Sequence, residues 1–269
     1  MKIGLTQITA RNEFSFPETL QVCREAGYEA IELLFEEGGD PDIGMSADEI
    51  RAVGRACREA GVEIASLLAW YKERGNLISP DPRERARRER ETVRALEIAE
   101  ILGVEVILLH PGRLTPQDRY QVAFDRLVGT LKELAVEAGR RGVVIGLENV
   151  WNQFLQSPAE MRALLDEVGS PWVRSYFDVA NMRSTGYPEV WIRELGGRIV
   201  RVHFKDFSGA SFRYVPFGEG EIDWPAVMRE LRAIGYDGYV IHELGGDRGR
   251  QIELARRMRE IIEKGTVTL

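Results

Sequence analysis

Eight short apolar runs in this chain each contain, end on, or stop just before a residue that could do chemistry. In chain order these are Gln7, Glu32, Trp70, His110, Glu148, Asp178, His203 and Glu243. The last four comprise three carboxylates and one imidazole, delivered by four successive runs. Hard oxygen ligands with a single histidine suit Mn²⁺, Mg²⁺ or Co²⁺ better than a structural zinc, which favours cysteine or several histidines. Taken singly, each residue has a plainer reading. A strand-end Asp or Glu often caps a helix or joins an ion pair, and a lone histidine on an apolar strand is usually structural. Their recurrence at matching positions points instead to one divalent metal ion held by Glu148, Asp178, His203 and Glu243. Mn²⁺ fits best, with Mg²⁺, Co²⁺ or Zn²⁺ as the other candidates.

The elements that must position these groups can be read from the same runs. Ile3–Gln7, Ala30–Phe35, Val62–Leu68, Val104–Leu109, Val143–Glu148, Val173–Asp178, Ile199–His203 and Gly238–Glu243 are nearly continuous in Val, Ile and Leu, as expected of strands covered on both faces. Helical spacing predicts helices over Phe16–Ala26, Ala86–Leu102, Tyr120–Ala138 and Ile252–Ile262. Gly27, Gly61, Gly103, Gly142 and Gly235 follow helix-like segments and precede strands, where helix C-caps belong. From Gln7 to Glu243 there are 236 residues in seven intervals, about 34 each, the length of one strand–helix module. The expected fold is an α/β (β/α)₈ TIM barrel forming a single domain over residues 1–269. A doubly wound sheet would want a glycine-rich phosphate turn after the first strand, and Thr6-Gln7-Ile8-Thr9-Ala10 is not one.

Strand parity refines the placement, since alternate residues face opposite sides. Glu148 shares a face with Gly146 and Val144. In Tyr239-Val240-Ile241-His242-Glu243 only one of the last two can face the lumen. Matching Glu148 and Asp178 puts Glu243 inside and leaves His242 a structural role towards the helices.

Composition excludes other classes. The 43 acidic residues exceed the 36 basic ones, a net charge of −7, which argues against a nucleic-acid partner. No apolar run approaches the roughly 18 residues of a membrane span. The first residues read as a strand rather than a leader peptide. Cys23 and Cys57 fall in helix-like segments, as in a reduced cytoplasmic protein without a disulfide framework.

Several segments resemble the sugar isomerase/epimerase superfamily with the xylose-isomerase-like barrel. They are Ile145-Gly146-Leu147-Glu148-Asn149, Tyr176-Phe177-Asp178-Val179-Ala180-Asn181, Val202-His203-Phe204-Lys205-Asp206, Gly218-Glu219-Gly220-Glu221-Ile222-Asp223-Trp224 and Val240-Ile241-His242-Glu243. Gly186-Tyr187-Pro188-Glu189 with Trp191-Ile192-Arg193 looks like the branch of ketose 3-epimerases and hexulose-phosphate isomerases. The resemblance implies metal-dependent epimerisation or isomerisation of a ketose or ketose phosphate through a cis-enediolate. Glu148 and Glu243 would be both ligands and the catalytic base/acid pair. Elementary chemistry agrees, because a cation stabilises an enediolate and a 3-epimerase needs a base and an acid on opposite faces of C3. The family's barrels are often homo-oligomers packed by their helices. The chain departs from many ketose epimerases at Asn181, where they carry a histidine; asparagine can donate a hydrogen bond but carries no charge.

Further substrate contacts are expected from Glu32, Trp70, His110, Asn181, Lys205 and Arg213. Glu32 could bind a sugar hydroxyl or serve as a buried partner of Arg201. His110 could donate to a hydroxyl, and Lys205 has the parity of His203. Trp70 could wall the pocket or simply pack a loop. Arg213 lies in the loop after the seventh strand, where barrels often bind phosphate, or is a solvated loop arginine. The charged stretch Arg83–Arg94 reads as a solvated helix face. The nearest alternative chemistry is a metal-dependent dehydratase of a polyol, inosose or shikimate-type substrate. A repair endonuclease of the same barrel would need three zincs and more than the 3 histidines present, and an intact ligand set argues against a non-catalytic sugar-binding barrel.

Overall fold

The aliphatic runs become eight parallel strands: β1 (Lys2–Thr6), β2 (Ala30–Phe35), β3 (Glu63–Ala69), β4 (Val106–Leu109), β5 (Val144–Glu148), β6 (Val173–Asp178), β7 (Ile199–Phe204) and, after a small hairpin, β10 (Tyr239–His242). In this computed structural model, which describes residues 1–69 and 76–267, they close in the order β1-β10-β7-β6-β5-β4-β3-β2. The (β/α)₈ barrel expected from the repeat is borne out. Trp70 lies outside the described residues.

Local chemistry starts and stops the helices as anticipated. Helix α2 (Phe16–Ala26) opens on a capping box between Ser15 and Glu18, with Pro17 in its first turn. The five inter-module glycines have φ between 66° and 74°, the left-handed region in which a Cβ is penalised. Helices α3 (Ala47–Glu59), α4 (Pro82–Leu102), α5 (Tyr120–Arg141), α6 (Pro158–Val168), α7 (Pro188–Leu195), α8 (Trp224–Ala233) and α9 (Arg248–Lys264) surround the barrel. The main core lies between helices and strands. A second cluster, including Ala30, Leu34, Leu68, Leu108, Tyr176 and Ile241, fills the lumen. Among the described residues, no helix is long and apolar enough to cross a membrane.

Three features depart from the sequence reading. Gln7 begins a one-turn helix, α1 (Gln7–Ala10), instead of ending β1. It is buried, and its Oε1 accepts a hydrogen bond from Leu34 N at 2.8 Å. The segment after β7 forms a hairpin, β8 (Asp206–Ser208) with β9 (Arg213–Val215). The charged stretch on α4 is not wholly solvated. Arg88 and Glu91 are buried, and Arg88 Nη2 donates to the carbonyl of Ala69 at 2.6 Å, covering the end of β3.

Candidate metal centre and active site

Register brings the strand-end groups together. Asp178 pairs directly with His203 across β6 and β7. Glu148 closes β5 opposite Tyr176, and Glu243 follows β10, its N–H donating to Phe204 O at 3.3 Å. One ligand atom from each of Glu148, Asp178, His203 and Glu243 lies within 4.8 Å of the others. Asp178 and His203 are fully buried. His242, one residue before Glu243, faces away from the lumen. Its Nδ1 accepts from Leu244 N at 3.2 Å and its Nε2 lies 2.7 Å from Tyr28 Oη, which itself donates to Gln251 O. Burial drops its pKa to about 3.

The surroundings fix the orientation of each carboxylate. Asp178 Oδ1 accepts from the N–H groups of Ala180 and Asn181 at 2.8 and 2.7 Å, which aims Oδ2 at the cluster. Glu148 Oε2 lies 2.8 Å from His110 Nε2, and its Oε1 accepts from Asn181 Nδ2 at 3.2 Å. Lys205 Nζ sits 2.9 Å from Asp178 Oδ2 and pairs with Glu243 Oε2. His203 Nδ1 faces Glu148 Oε1, Glu243 Oε2 and Asp178 Oδ2 at 3.4, 3.6 and 3.9 Å, yet makes no hydrogen bond. Asp178 Oδ2 makes no aligned hydrogen bond either, so its contact with Lys205 is an ion pair alone.

The electrostatics show a shortage of positive charge. Burial raises Asp178, and although Lys205 opposes this, Glu148 and Glu243 add to it and its carboxyl stands at about 6. Burial also acts to raise Glu148, but the hydrogen bond from His110 and the charges of His110 and His203 outweigh it and hold the group well below the usual range. Burial would lower His203 and Lys205; the surrounding carboxylates reverse this and hold both well above their ordinary values. An unbonded ring nitrogen and an unbonded carboxylate oxygen, turned inward among excess negative charge, fit a divalent cation.

A cavity of about 230 Å³ opens over the cluster, walled by Ile8, Leu68, His110, Trp151, Asn181, Lys205 and Tyr214, with Glu148 and Glu243 at its floor. Three of the expected substrate contacts, His110, Asn181 and Lys205, therefore stand on the pocket. Glu32 does not reach it. It is 0% exposed, bonds Thr6, Ser66, Tyr176 and His203, and is not the partner of Arg201, whose guanidinium bonds Ala65 O and Val200 O. Arg213 also differs from expectation. It pairs with Ser208 while its neighbour Tyr214 pairs with Phe207, and alternation along the hairpin turns successive side chains to opposite faces. Tyr214 takes the inward place, donating to Asn181 Oδ1 at 2.6 Å, and Arg213 is exposed facing away.

The sequence reading missed Trp151 and Tyr214. Trp151 stacks on Tyr214 and Phe212, with centroids 5.0 and 5.3 Å apart, and its Nε1 donates to Asn181 O. The available signal was an aromatic three residues after Glu148. Asp206, also missed, anchors the segment that carries Tyr214. This fully buried carboxylate accepts from the N–H groups of Phe207, Gly218 and Ile222 and from Trp224 Nε1 at 2.8 to 3.2 Å. Gly220 passes so close that a Cβ there would lie 2.2 Å from Asp206 Oδ1.

Comparison with known proteins agrees with this architecture. A family model described as xylose isomerase-like TIM barrel matches residues 20–264. The chain belongs to that family. Among its relatives is the L-ribulose-5-phosphate 3-epimerase UlaE of Escherichia coli K12, 27% identical over 230 residues, covering 84% of this chain and 81% of the relative. Solved barrels with the same fold include a D-tagatose 3-epimerase-like protein, with a TM-score of 0.82 at 23% identity, covering 98% of this chain and 99% of the other. The 3-keto-D-glucoside 4-epimerase YcjR of E. coli superposes with a TM-score of 0.79 at 21% identity, covering 96% and 99%. The family resemblance expected from the motifs is borne out, and this xylose isomerase-like barrel is an enzyme.

Proposed function

We propose that this chain is a divalent-metal-dependent epimerase or isomerase of a ketose or ketose phosphate. The observation that carries the reading is the convergence of Glu148, Asp178, His203 and Glu243 on one point at the floor of a sugar-sized pocket. A relative named as an L-ribulose-5-phosphate 3-epimerase supports it. The four residues would hold the ion, and Mn²⁺ suits a set of three carboxylates and one imidazole. When bound, such an ion supplies Lewis-acid stabilisation of negative charge on adjacent substrate oxygens.

The chain's own groups account for the proton movements. Removing a proton beside a ketone leaves an enediolate, so a base must be ionised beforehand. Glu148 meets this condition because His110 and His203 hold it well below the usual range. Glu243, arriving from the last strand, can offer a proton on the other face of the reacting carbon. Removal of the C3 proton and its return to the opposite face of C3 gives the 3-epimer; removal of a C1 proton and its return to C2 gives the aldose. Lys205 and Asn181, which line the pocket, would bond sugar oxygens, and Trp151 with Tyr214 would offer apolar surface to the ring or chain.

The test is incubation of the Mn²⁺-loaded protein in D₂O with a panel of ketoses and ketose phosphates, following exchange at C3 and C1 by NMR. Exchange with retention of all hydroxyls is expected, and Glu148→Gln or Glu243→Gln should slow it by about 10²–10⁴-fold. Loss of water would favour the dehydratase chemistry, and unchanged turnover in both variants would refute the assignment.

A further inference from the structure

Glu32 is a carboxylate sealed in the barrel lumen, beneath the pocket and out of reach of any substrate. Its four lone-pair positions are all filled. Thr6 Oγ1 donates to Oε1 at 2.9 Å; Ser66 Oγ and Tyr176 Oη donate to Oε2 at 2.7 and 2.6 Å. The remaining place on Oε1 faces His203 Nε2 at 3.1 Å. Thr6, Glu32 and Ser66 are register partners on β1, β2 and β3, while Tyr176 reaches across from β6. The strand pairing shifts register at Ile31/Glu32 and again at Ser175/Tyr176. Such irregularities re-aim side chains, and here they fall on the two residues that meet.

We propose that Glu32 is a positioning residue for the metal centre: by accepting the Nε2–H of His203 it leaves Nδ1 as the ligand nitrogen, aimed at Glu148, Asp178 and Glu243. This rests on reading the four-residue cluster as a metal site. The geometry supports it from both ends of the imidazole. Nε2 is bonded to Glu32, while Nδ1 is turned towards three carboxylates and bonds none of them. The Tyr176 ring packs edge-on against the imidazole at 4.6 Å, so the hydroxyl that fixes Glu32 belongs to the ring that fixes the tilt of His203. A buried carboxylate is costly unless fully bonded, and an apolar residue in its place would fill the lumen with no such demand. What the carboxylate adds is a defined donor nitrogen and greater basicity at the opposite nitrogen, an effect typically worth 10–100-fold in metal affinity.

The experiment uses the full chain, stripped with EDTA. Mn²⁺ is titrated calorimetrically into wild type, Glu32→Gln and Tyr176→Phe, and ¹⁵N-histidine spectra are recorded on the Zn²⁺-loaded proteins. With only 3 histidines in the chain, the His203 signals are resolvable. Glu32→Gln should bind Mn²⁺ about 10–100-fold more weakly, and Tyr176→Phe, which keeps the carboxylate, should lose less. In wild type His203 should carry its proton on Nε2 and the metal on Nδ1, with the Nε2–H signal displaced in Glu32→Gln. Folded Glu32→Gln with wild-type Mn²⁺ affinity would overturn the proposal, as would metal on Nε2. The spectrum of the wild type decides the matter even if Glu32→Gln does not fold. Failure of the wild type to bind Mn²⁺ or Zn²⁺ would overturn the metal centre itself, a different result from binding that ignores Glu32.

Discussion

Asp178→Asn should make the metal-free protein more stable at neutral pH while destroying its response to metal. Burial and two neighbouring carboxylates lift Asp178 from 3.8 to about 6 in the folded chain. The folded state therefore holds this proton more tightly than the unfolded chain does. The stability that follows is fully present below about pH 3.8 and is lost as pH rises through about 6, leaving a cost of roughly 3 kcal/mol near pH 7. Asparagine never ionises and escapes that cost, yet its oxygen can still accept from Ala180 and Asn181, and Lys205 keeps Glu243 as a partner. Urea denaturation in EDTA should give the variant an advantage approaching 3 kcal/mol at pH 7.5 and about half of that at pH 5. Added Mn²⁺ at a hundred times its Kd should stabilise wild type by about 2.7 kcal/mol and the variant far less. A variant no more stable than wild type at pH 7.5 in EDTA, or an advantage that does not shrink at pH 5, would refute the reasoning.

Two further outcomes follow from buried groups away from the metal cluster. Asp206→Asn replaces one acceptor oxygen by a donor and leaves two buried N–H groups unbonded, so the denaturation midpoint should fall by the equivalent of about 3 kcal/mol. KM should rise with it, because Tyr214 rides on the same segment; an unchanged midpoint would show that the four hydrogen bonds do not anchor it. Cys23 and Cys57 are buried free thiols whose pKa burial pushes up to about 12. Neither should react with a disulfide reagent such as DTNB in the native protein at pH 8, and both should react in denaturant. Rapid labelling of native protein would contradict the burial of Cys23 on α2 and Cys57 on α3.

The legible parts were those in which local pattern and final environment agree. Helix α2 spans Phe16–Ala26 as its spacing predicts, because a capping box, a first-turn proline and a closing glycine all lie within its own sequence. The strand ends at Glu148 and Asp178 were legible because an aliphatic run buried on both faces has little reason to finish on a charge unless the charge has work at the rim. Other elements carried weak local signals. Gln7 looks like the end of a strand, yet its side chain is drawn to Leu34 N on the neighbouring strand, and the backbone turns into α1. The β8–β9 hairpin has only three residues a side, too few for alternation to stand out. With the hairpin unseen, Arg213 and Tyr214 could not be told apart.

By itself the sequence determined the barrel, its module length and the four residues that converge in it, since strand alternation and the repeat of strand–helix units are properties of neighbouring residues. Only the tertiary structure decided what those residues touch. Glu32 meets Tyr176 and His203 across 144 and 171 residues of chain; Lys205 settles between Asp178 and Glu243; Arg213 is turned away so that Tyr214 can reach Asn181. Each of these depends on which strands are neighbours when the barrel closes and in what register they pair. Such long-range pairing is set by the summed packing of the whole sheet, and no local segment carries it.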